Sequence, residues 1–544
     1  MIKVRLAEEQ DLPQIRETFI AVYGLDYPYK EFYDETWLKR SLYNEHVLML
    51  IAEETDTRRI AGTASVIFEL GAYSDLVGEF GRLAVHPDFR NLGIGNLLME
   101  KRVEAIQDRL HLGLVMARVV HPYAQKISLC HHFAPLGFLP LSHFFSYRES
   151  FALLGRYFGD ALALRKNNPR IIPEAYPLAS LALPHTNLPS DVIVDEDSAP
   201  YPHNDEYQIQ EMTVRGYPAL LRIERGRIRN REIFGHMRLE YGFFKLQANH
   251  ATYLLAFDGS HLVGAIGFTL DSTEHSVRIF ELITFTDHAI RFLLAEVERK
   301  CREEWGIEYM EIDVSAHAPR MQRTLLELNF LPVAYIPSMV FHEVERLDII
   351  RMVRLLKLQD LGPLHLTPEM REIADLVMGG FHTHSVIPRI AEAVSELPLF
   401  QGLNKEQVER LAGVCSVMTF NADERVCCES ENADSMYIVL EGRLNVTYGA
   451  PGVKVGAVEK GEIVGEMSLL SSGTHSATVT AETKTETAVL RHHDLGELVR
   501  RRPDIGVIIY RNLGQGLGRK LLRSDDFLHR QALKEGSVSK GNSG

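Results

Sequence analysis

The stretch VGEFGRLAVHPDFRNLGIGNLLMEKRVEAIQDRL, residues 77–110, limits the possible folds more than any other part of the chain. Its first nine residues read as a strand. Met99, Val103, Ile106 and Leu110 then recur at helical spacing between Glu, Lys and Arg, which predicts an amphipathic helix over 94–110. Between them lies the turn Arg90-Asn91-Leu92-Gly93-Ile94-Gly95. A helix N-terminus leaves N–H groups free and carries partial positive charge, and glycines let a bulky anion approach the backbone. A strand, a glycine turn and a helix in that order are built to hold a phosphate or pyrophosphate.

Further strands are expected at 47–53, 60–69 and 113–120. With these in place, Arg90, Gly93 and Gly95 match the Arg/Gln-x-x-Gly-x-Gly/Ala motif of the GNAT acetyltransferase superfamily. LAVHPDF before the turn resembles that family's strand exit, and LGF at 136–138 its late strand start. The resemblance covers about residues 1–150. It implies that the turn Arg90, Asn91, Leu92, Gly93, Ile94, Gly95 and Asn96 grips the pyrophosphate of acetyl-CoA. It also implies that the backbone of Leu83, Ala84 and Val85 pairs with the pantetheine arm. An ammonium cannot attack a thioester, so a base is required. Glu79 stands on the same strand, and simple alternation puts it on one face with Leu83 and Val85. The family's usual general acid, a tyrosine five residues before the Phe of the GF pair, falls on Phe133. His131 and His132 are the neighbouring groups able to carry a proton, and Tyr123 is a weaker candidate.

The same order of elements returns over 206–345, which points to duplication. There the strand VRIFELITF runs into Thr286-Asp287-His288, with neither arginine nor glycine where the turn should be. This copy is expected to be a GNAT-like half that has lost coenzyme binding. Residues 151–205 have the Pro-, Asn- and Ser-rich composition of a connecting segment. Residues 346–393 read as a helical linker.

From 394 to 525 short strands alternate with turn residues, as in a small antiparallel barrel. LPLFQGLNKEQVERLAGVC, DSMYIVLEGRLNV and GEIVGEMSLLSSGTHSATV resemble the entry helices, central strands and phosphate cassette of the cyclic-nucleotide-binding domain. The resemblance implies Gly465, Glu466, Met467, Ser468, His475, Ser476 and Ala477 as contacts to cAMP or cGMP, with Glu466 on the ribose 2′-hydroxyl. His475 occupies the place of the family's phosphate-clamping arginine. Arginine offers two fixed donors to one phosphate, while histidine offers at most one to a given oxygen. Thr474 and Ser476 add hydroxyls. The readings left open are a cyclic nucleotide, another small ligand, or a structural barrel.

The expected fold class is therefore α+β multidomain: two GNAT-like mixed sheet/helix domains, then a cyclic-nucleotide-binding antiparallel β-barrel with flanking helices. Residues 526–544 should form a disordered tail. A net charge of -14 argues against nucleic acid as a partner, as does the lack of a helix-turn-helix pattern after the barrel. No apolar run approaches the roughly 20 residues needed to cross a membrane. The N-terminus lacks an apolar signal region, and five scattered cysteines suggest free thiols. A cytoplasmic acyl-CoA-dependent N-acyltransferase is the reading that joins these features. Its acceptor would be an amine, on a protein lysine or a small molecule. The alternative is a nucleotide-responsive scaffold without catalysis.

Overall fold

The computed structural model describes residues 1–25, 30–68, 75–145, 147–203, 206–212, 231–235, 240–242, 245–247, 251–356, 364–431, 433–449, 453–466 and 474–515. The chain divides into two compact units, Met1–Met378 and Gly379–Gly544.

A 15-stranded sheet organises the first unit. Its first half holds β1 (Ile2–Leu6), β2 (Val47–Glu54), β3 (Ile60–Phe68), β4 (Val77–Val85), β5 (Leu112–Arg118), β6 (Ala134–Phe144) and β7 (Arg148–Tyr157). On one face lie α1 (Leu12–Tyr23) and α2 (Glu35–Leu42), whose apolar side chains join Met49, Ile51, Ile60 and Ala84. On the other lies α3 (Ile94–Ile106), with Ile94 and Leu98 against Leu50, Ala52, Ala61 and Ala64. Cover on both faces explains why β3, IAGTASVIF, is buried along its whole length and does not alternate. α4 (Tyr123–Cys130) packs beside α3.

The strand order of this half is β1-β2-β3-β4-β5-β7-β6. β4 and β5 run parallel, but they pair only over Val77–Glu79 and Leu112–Leu114. Beyond that point β4 stays with β3 and β5 stays with β7, so the sheet opens between them.

The second half repeats this plan. It holds β8 (Gln208–Glu211), β9 (Ala251–Asp258), β10 (His261–Asp271), β11 (Ser276–Thr284), β12 (Tyr309–Ser315), β13 (Leu331–His342) and β14 (Glu345–Leu355). Their order is β8-β9-β10-β11-β12-β14-β13, and β11 and β12 are again the parallel pair. α6 (His288–Glu303) and α7 (Pro319–Glu327) take the places of α3 and α4; α5 (Tyr176–His185) lies between the halves in sequence. The two seven-strand orders meet where Gly137 of β6 pairs antiparallel with Ala334 of β13. A Cβ on Gly137 would lie 2.2 Å from the Ala334 methyl, so glycine is required for this approach.

The seam is reciprocal, as in a two-fold dimer written into one chain. The Phe341 N–H donates to Asp75 Oδ1 at 2.9 Å, and the Phe144 N–H donates to Glu274 Oε2 at 2.6 Å. Arg148 donates to the Glu274 and His275 carbonyls at 2.6 and 2.8 Å, while Arg346 donates to the Asp75 carbonyl at 2.8 Å.

Two expectations from composition need correction. Residues 151–205 are an integral part of the unit. β7 runs past 150, and α5 buries Leu178, Ala179, Ala182 and Leu183. Arg165 forms an ion pair with Asp348 of β14 at 2.6 Å and with Asp191 at 2.9 Å. Prolines and asparagines here lie on an ordered path tied down by the Arg165 ion pairs and the buried side chains of α5. The first part of the supposed helical linker is also not helical, because Glu345–Leu355 is strand β14. Its run of buried residues faces cover on both sides, and such a run fits either period. A helix does follow, α8 (Pro368–Glu396). The α3 helix ends at Ile106, short of the expected 110, and Leu110 is buried beyond its end.

In the second unit α9 (Lys405–Gly413) starts on a capping box: Asn404 Oδ1 accepts the Gln407 N–H, and Gln407 Oε1 accepts the Asn404 N–H. The strands are β15 (Ser416–Phe420), β16 (Arg425–Cys427), β17 (Ser435–Glu441), β18 (Arg443–Tyr448), β19 (Val453–Glu459), β20 (Ile463–Val464), β21 (Thr478–Ala481) and β22 (Thr485–Arg491). They form two four-stranded antiparallel sheets, β15-β22-β17-β20 and β16-β21-β18-β19. α10 (His492–Arg501) follows, and a further helix is described from 503 to 515. Met436, Ile438, Leu440, Leu490, Ile505 and Ile509 share one core. The tail 526–544 lies outside the described residues.

Candidate functional site

The turn after β4 has the geometry its sequence predicts. Gly93 has φ +75° and caps α3, a left-handed conformation that a residue with a Cβ adopts at a strain. Asn91 also has positive φ, at 63°. The ladder of α3 begins with the Leu97 N–H to the Gly93 carbonyl, so the preceding N–H groups stand outside it. Arg90, Asn91, Leu92, Gly93 and Asn96 are exposed, while Ile94 is buried as the anchor of the turn. A Cβ on Gly95 would lie 2.7 Å from Ile127 Cδ1 of α4, which ties the turn to that helix. This exposed row of N–H groups, at the positive end of a three-turn helix, fits a pyrophosphate.

One expectation about β4 fails. Gly81 pairs with Ser65 and Ala84 with Thr63, so two residues of β4, Arg82 and Leu83, oppose the single residue Ala64. Arg82 takes φ 54° in this bulge. The extra residue reverses the alternation beyond it. Glu79 and Gly81 share their face with Ala84, while Val85 falls on the opposite face with Phe80. Arg102 of α3 braces the bulge. It is fully buried, donates to the Ser65 and Gly81 carbonyls at 3.2 Å each, and lies 5.3 Å from the Phe80 ring centre.

Glu79 is the last β4 residue paired to β5, at the point where the sheet opens. It is half-buried, and its carboxylate makes no hydrogen bond or ion pair among the described residues. It lines a cavity of about 90 Å³. Leu114, Met116 and Leu153 of the first half lie beside it, and Phe234, Met339 and Val340 of the second half lie across from it.

The candidates for the general acid do not gather there. β6 begins at Ala134, so LGF at 136–138 lies inside the strand rather than at its start. The equivalent turn in the second half identifies the true strand entry: His132 and Asn329 have φ 60° and 62°, each one residue before Phe133 and Phe330. Counting five residues back from Phe133 gives Ser128, which is buried and donates to the Ala124 carbonyl at 2.9 Å. Phe133 itself packs on Phe80 with ring centres 5.1 Å apart. His132 is exposed, and burial lowers the pKa of His131. Tyr123 is exposed at the start of α4. None of these residues lines the Glu79 cavity.

The second half departs from the first at the two places that matter. Its β11-to-α6 connection is only Phe285-Thr286-Asp287, and Asp287 pairs with Arg320 at 3.2 Å. Matching the parallel registers puts Arg278 of β11 where Glu79 stands in β4. Neither Arg278 nor the buried residues Asp313 and Arg351 were singled out from the sequence, although all three line the cavity. The repeat gives no local signal for them: Leu139-Pro140-Leu141 and Ile336-Pro337-Ser338 precede only the seam arginines Arg148 and Arg346, while Glu79, Met116 and Leu153 correspond to Arg278, Asp313 and Arg351.

In the barrel, Gly465 has φ +89°, and a Cβ there would lie 2.9 Å from the Ser435 carbonyl oxygen. Glu466 is half-buried; Met467 and Ser468 lie outside the described residues. The His475 backbone is pinned on both sides, its N–H to the Glu431 carbonyl and its carbonyl to the Ser430 N–H, each at 2.9 Å. Its ring is half-buried, Ser476 is exposed and Ala477 is half-buried. Burial lowers the pKa of His492, with nearby Asp434 opposing the shift.

Comparison with known proteins agrees with both modules. Residues 12–133 match the acetyltransferase (GNAT) family, and residues 417–502 match the cyclic nucleotide-binding domain. Glutaminase 1 of Bradyrhizobium diazoefficiens is 27% identical over 129 residues, 24% of this chain and 21% of that protein. The cyclic AMP receptor protein of Thermus thermophilus is 28% identical over 131 residues, 24% of this chain and 59% of that protein. The N-terminal domain of a transcriptional regulator from Streptomyces coelicolor is 28% identical, covering 25% of this chain and 92% of that one, with a TM-score of 0.23. The chain thus spans less than two thirds of the curated relatives named here. One chain thus joins a GNAT acetyltransferase domain at residues 12–133 to a cyclic nucleotide-binding domain at residues 417–502. Among the described residues no helix is long and apolar enough to cross a membrane.

Proposed function

We propose that the chain is an acyl-CoA-dependent N-acyltransferase that takes an acetyl group from acetyl-CoA and delivers it to an amine. The observation that carries this reading is the unpaired Glu79 carboxylate, which lines a cavity where β4 and β5 part. The turn Arg90–Asn96 would hold the pyrophosphate. Glu79 would take the proton of the acceptor ammonium, directly or through water. The freed amine then forms a C–N bond to the acyl carbon as the C–S bond breaks, the surplus proton on nitrogen passing to water, with strand amides facing the oxygen that gains charge. With Ser128 and Phe133 where a tyrosine is expected, the leaving thiolate is protonated by solvent. Turnover with acetyl-CoA and a panel of amines tests the reading; a full chain that releases no CoA with any amine overturns it.

The barrel serves in this reading as a regulatory module for a cyclic nucleotide, with Glu466 toward the ribose and His475 toward the phosphate. The matching family model supports it. The loss of arginine at His475 removes a two-pronged charged contact, an effect of roughly 10- to 150-fold in affinity if it is worth about 1.5–3 kcal/mol. The second half, 206–345, is read as a GNAT-like copy without coenzyme, which its three-residue β11-to-α6 connection supports. The missing tyrosine favours a second reading, a nucleotide-responsive scaffold without catalysis. Binding of acetyl-CoA without any turnover would select it.

A further inference from the structure

The cavity beside Glu79 has walls from both halves, and its charges do not share one fate. Arg351 grips Asp313 through two hydrogen bonds of 2.7 and 2.8 Å. Arg278 pairs with Glu311 at 2.5 Å. Asp75 accepts the Phe341 N–H, and Arg346 reaches its carbonyl. These groups hold one another in place, and both cavity arginines already face carboxylates. Glu79 alone among the charged lining residues makes no ion pair or hydrogen bond with the described residues. The remaining lining is apolar, and Phe234, Met339 and Val340, each buried, come from the half that lacks the coenzyme turn.

We propose that the second half is the acceptor wall of the first half's site. Phe234, Met339 and Val340 set the size of an acceptor whose ammonium meets Glu79 and whose body is an unbranched apolar stem bearing no anion. The proposal rests on the acyltransferase reading for its role, but not for its binding chemistry. A short alkyl stem suits a cavity of about 90 Å³ lined mainly by apolar side chains. A carboxylate on the acceptor would find no unpaired cation, because Arg278 and Arg351 are both engaged, and burying it there would carry a desolvation penalty. A butylammonium group is also the end of a lysine side chain, so the same chemistry is available from a free alkylamine or from a protein.

The test is direct binding to the full chain, by calorimetry without coenzyme. The probes are ethyl-, butyl- and hexylammonium, 4-aminobutyrate, and a short lysine peptide with blocked termini. The variants are Val340→Phe and Val340→Ala, with acetyl-CoA binding measured in parallel as a check on the fold. Butylammonium should bind at least 10-fold more tightly than 4-aminobutyrate. Val340→Phe should weaken it by roughly 10- to 200-fold, the range for a misfit of about one methylene or more in an apolar pocket. Val340→Ala should move the preference toward hexylammonium. Tighter binding of the peptide supports the proposal with a protein side chain as the source, and tighter binding of the free amine supports it with a small molecule. Equal or tighter binding of 4-aminobutyrate, or amine affinities unmoved by both Val340 variants, overturns it. If amines bind as stated but acetyl-CoA does not, the acceptor wall stands and the acyltransferase reading falls. If acetyl-CoA binds and no amine does, the reverse holds.

Discussion

Arg148 and Arg346 hold corresponding places in β7 and β14, and each donates to a carbonyl in the loop ahead of the other half's fourth strand. Each also secures its own half, Arg148 at the Leu141 carbonyl and Arg346 at those of Ser338 and Met339. Both side chains are almost wholly buried. Two guanidiniums therefore lock the halves together, and Arg346 also holds the backbone of Asp75 and Met339 beside the Glu79 cavity.

Arg148→Met or Arg346→Met would leave several buried carbonyls without donors. Each should lower unfolding free energy by about 2–5 kcal/mol, measured by urea titration of the whole chain. Lysine at either position should recover little, since one ammonium cannot reproduce the guanidinium fork.

Glu79→Gln keeps the size and polarity of the side chain but removes the base. Turnover should fall by roughly 10²- to 10⁴-fold while acetyl-CoA affinity stays within about twofold. A variant with full turnover would transfer the base role elsewhere.

Stability should fall in mild acid. Burial lowers the pKa of His143 from 6.5 to about 4, with Glu311 opposing the shift and Arg278 and Arg148 adding to it. Its ring packs tilted against Phe151, with ring centres 4.4 Å apart, and shares a hydrogen bond with Ser142. Because the folded chain releases this proton more readily than the unfolded chain, the contribution of His143 is complete above pH 6.5. It is lost as pH falls from there toward about 4, and amounts to about 1–3 kcal/mol. His143→Phe should flatten the urea stability profile in that window; an unchanged profile would exclude His143 as its source.

In the barrel, His475→Arg restores a two-pronged cation beside a backbone already pinned to Ser430 and Glu431. Affinity for cAMP, measured by calorimetry, should rise by roughly 10- to 150-fold. No gain would favour a structural barrel or a different ligand.

Local pattern carried the reading where local physics decides the structure. The strand-turn-helix at 77–106 was legible because Gly93, Gly95 and the buried spacing of α3 are local signals. The barrel strands were legible for the same reason. The β4 bulge was not, since one extra residue at Arg82-Leu83 leaves no mark on the alternation of types and yet reverses the face of Val85. β14 reads as a helix from the sequence because a strand buried on both sides loses its period of two. The cavity was hidden for a different reason. Its second wall comes from residues far along the chain, and Arg278 stands in place of Glu79 only once the two parallel registers are aligned. The order of strands in the second half was anticipated from the sequence repeat; the two-fold seam through Gly137 and Ala334 was not.

Calorimetry of acetyl-CoA binding to the full chain and to a Gly93→Asp/Gly95→Asp variant tests the central claim most directly. An aspartate at 93 is strained at φ +75° and repels the pyrophosphate, and one at 95 crowds Ile127. Binding by the natural chain, with at least a 10-fold loss in a variant that still unfolds cooperatively, is the predicted result. Equal affinity in the two proteins, or no heat from the natural chain with any acyl-CoA, would contradict it.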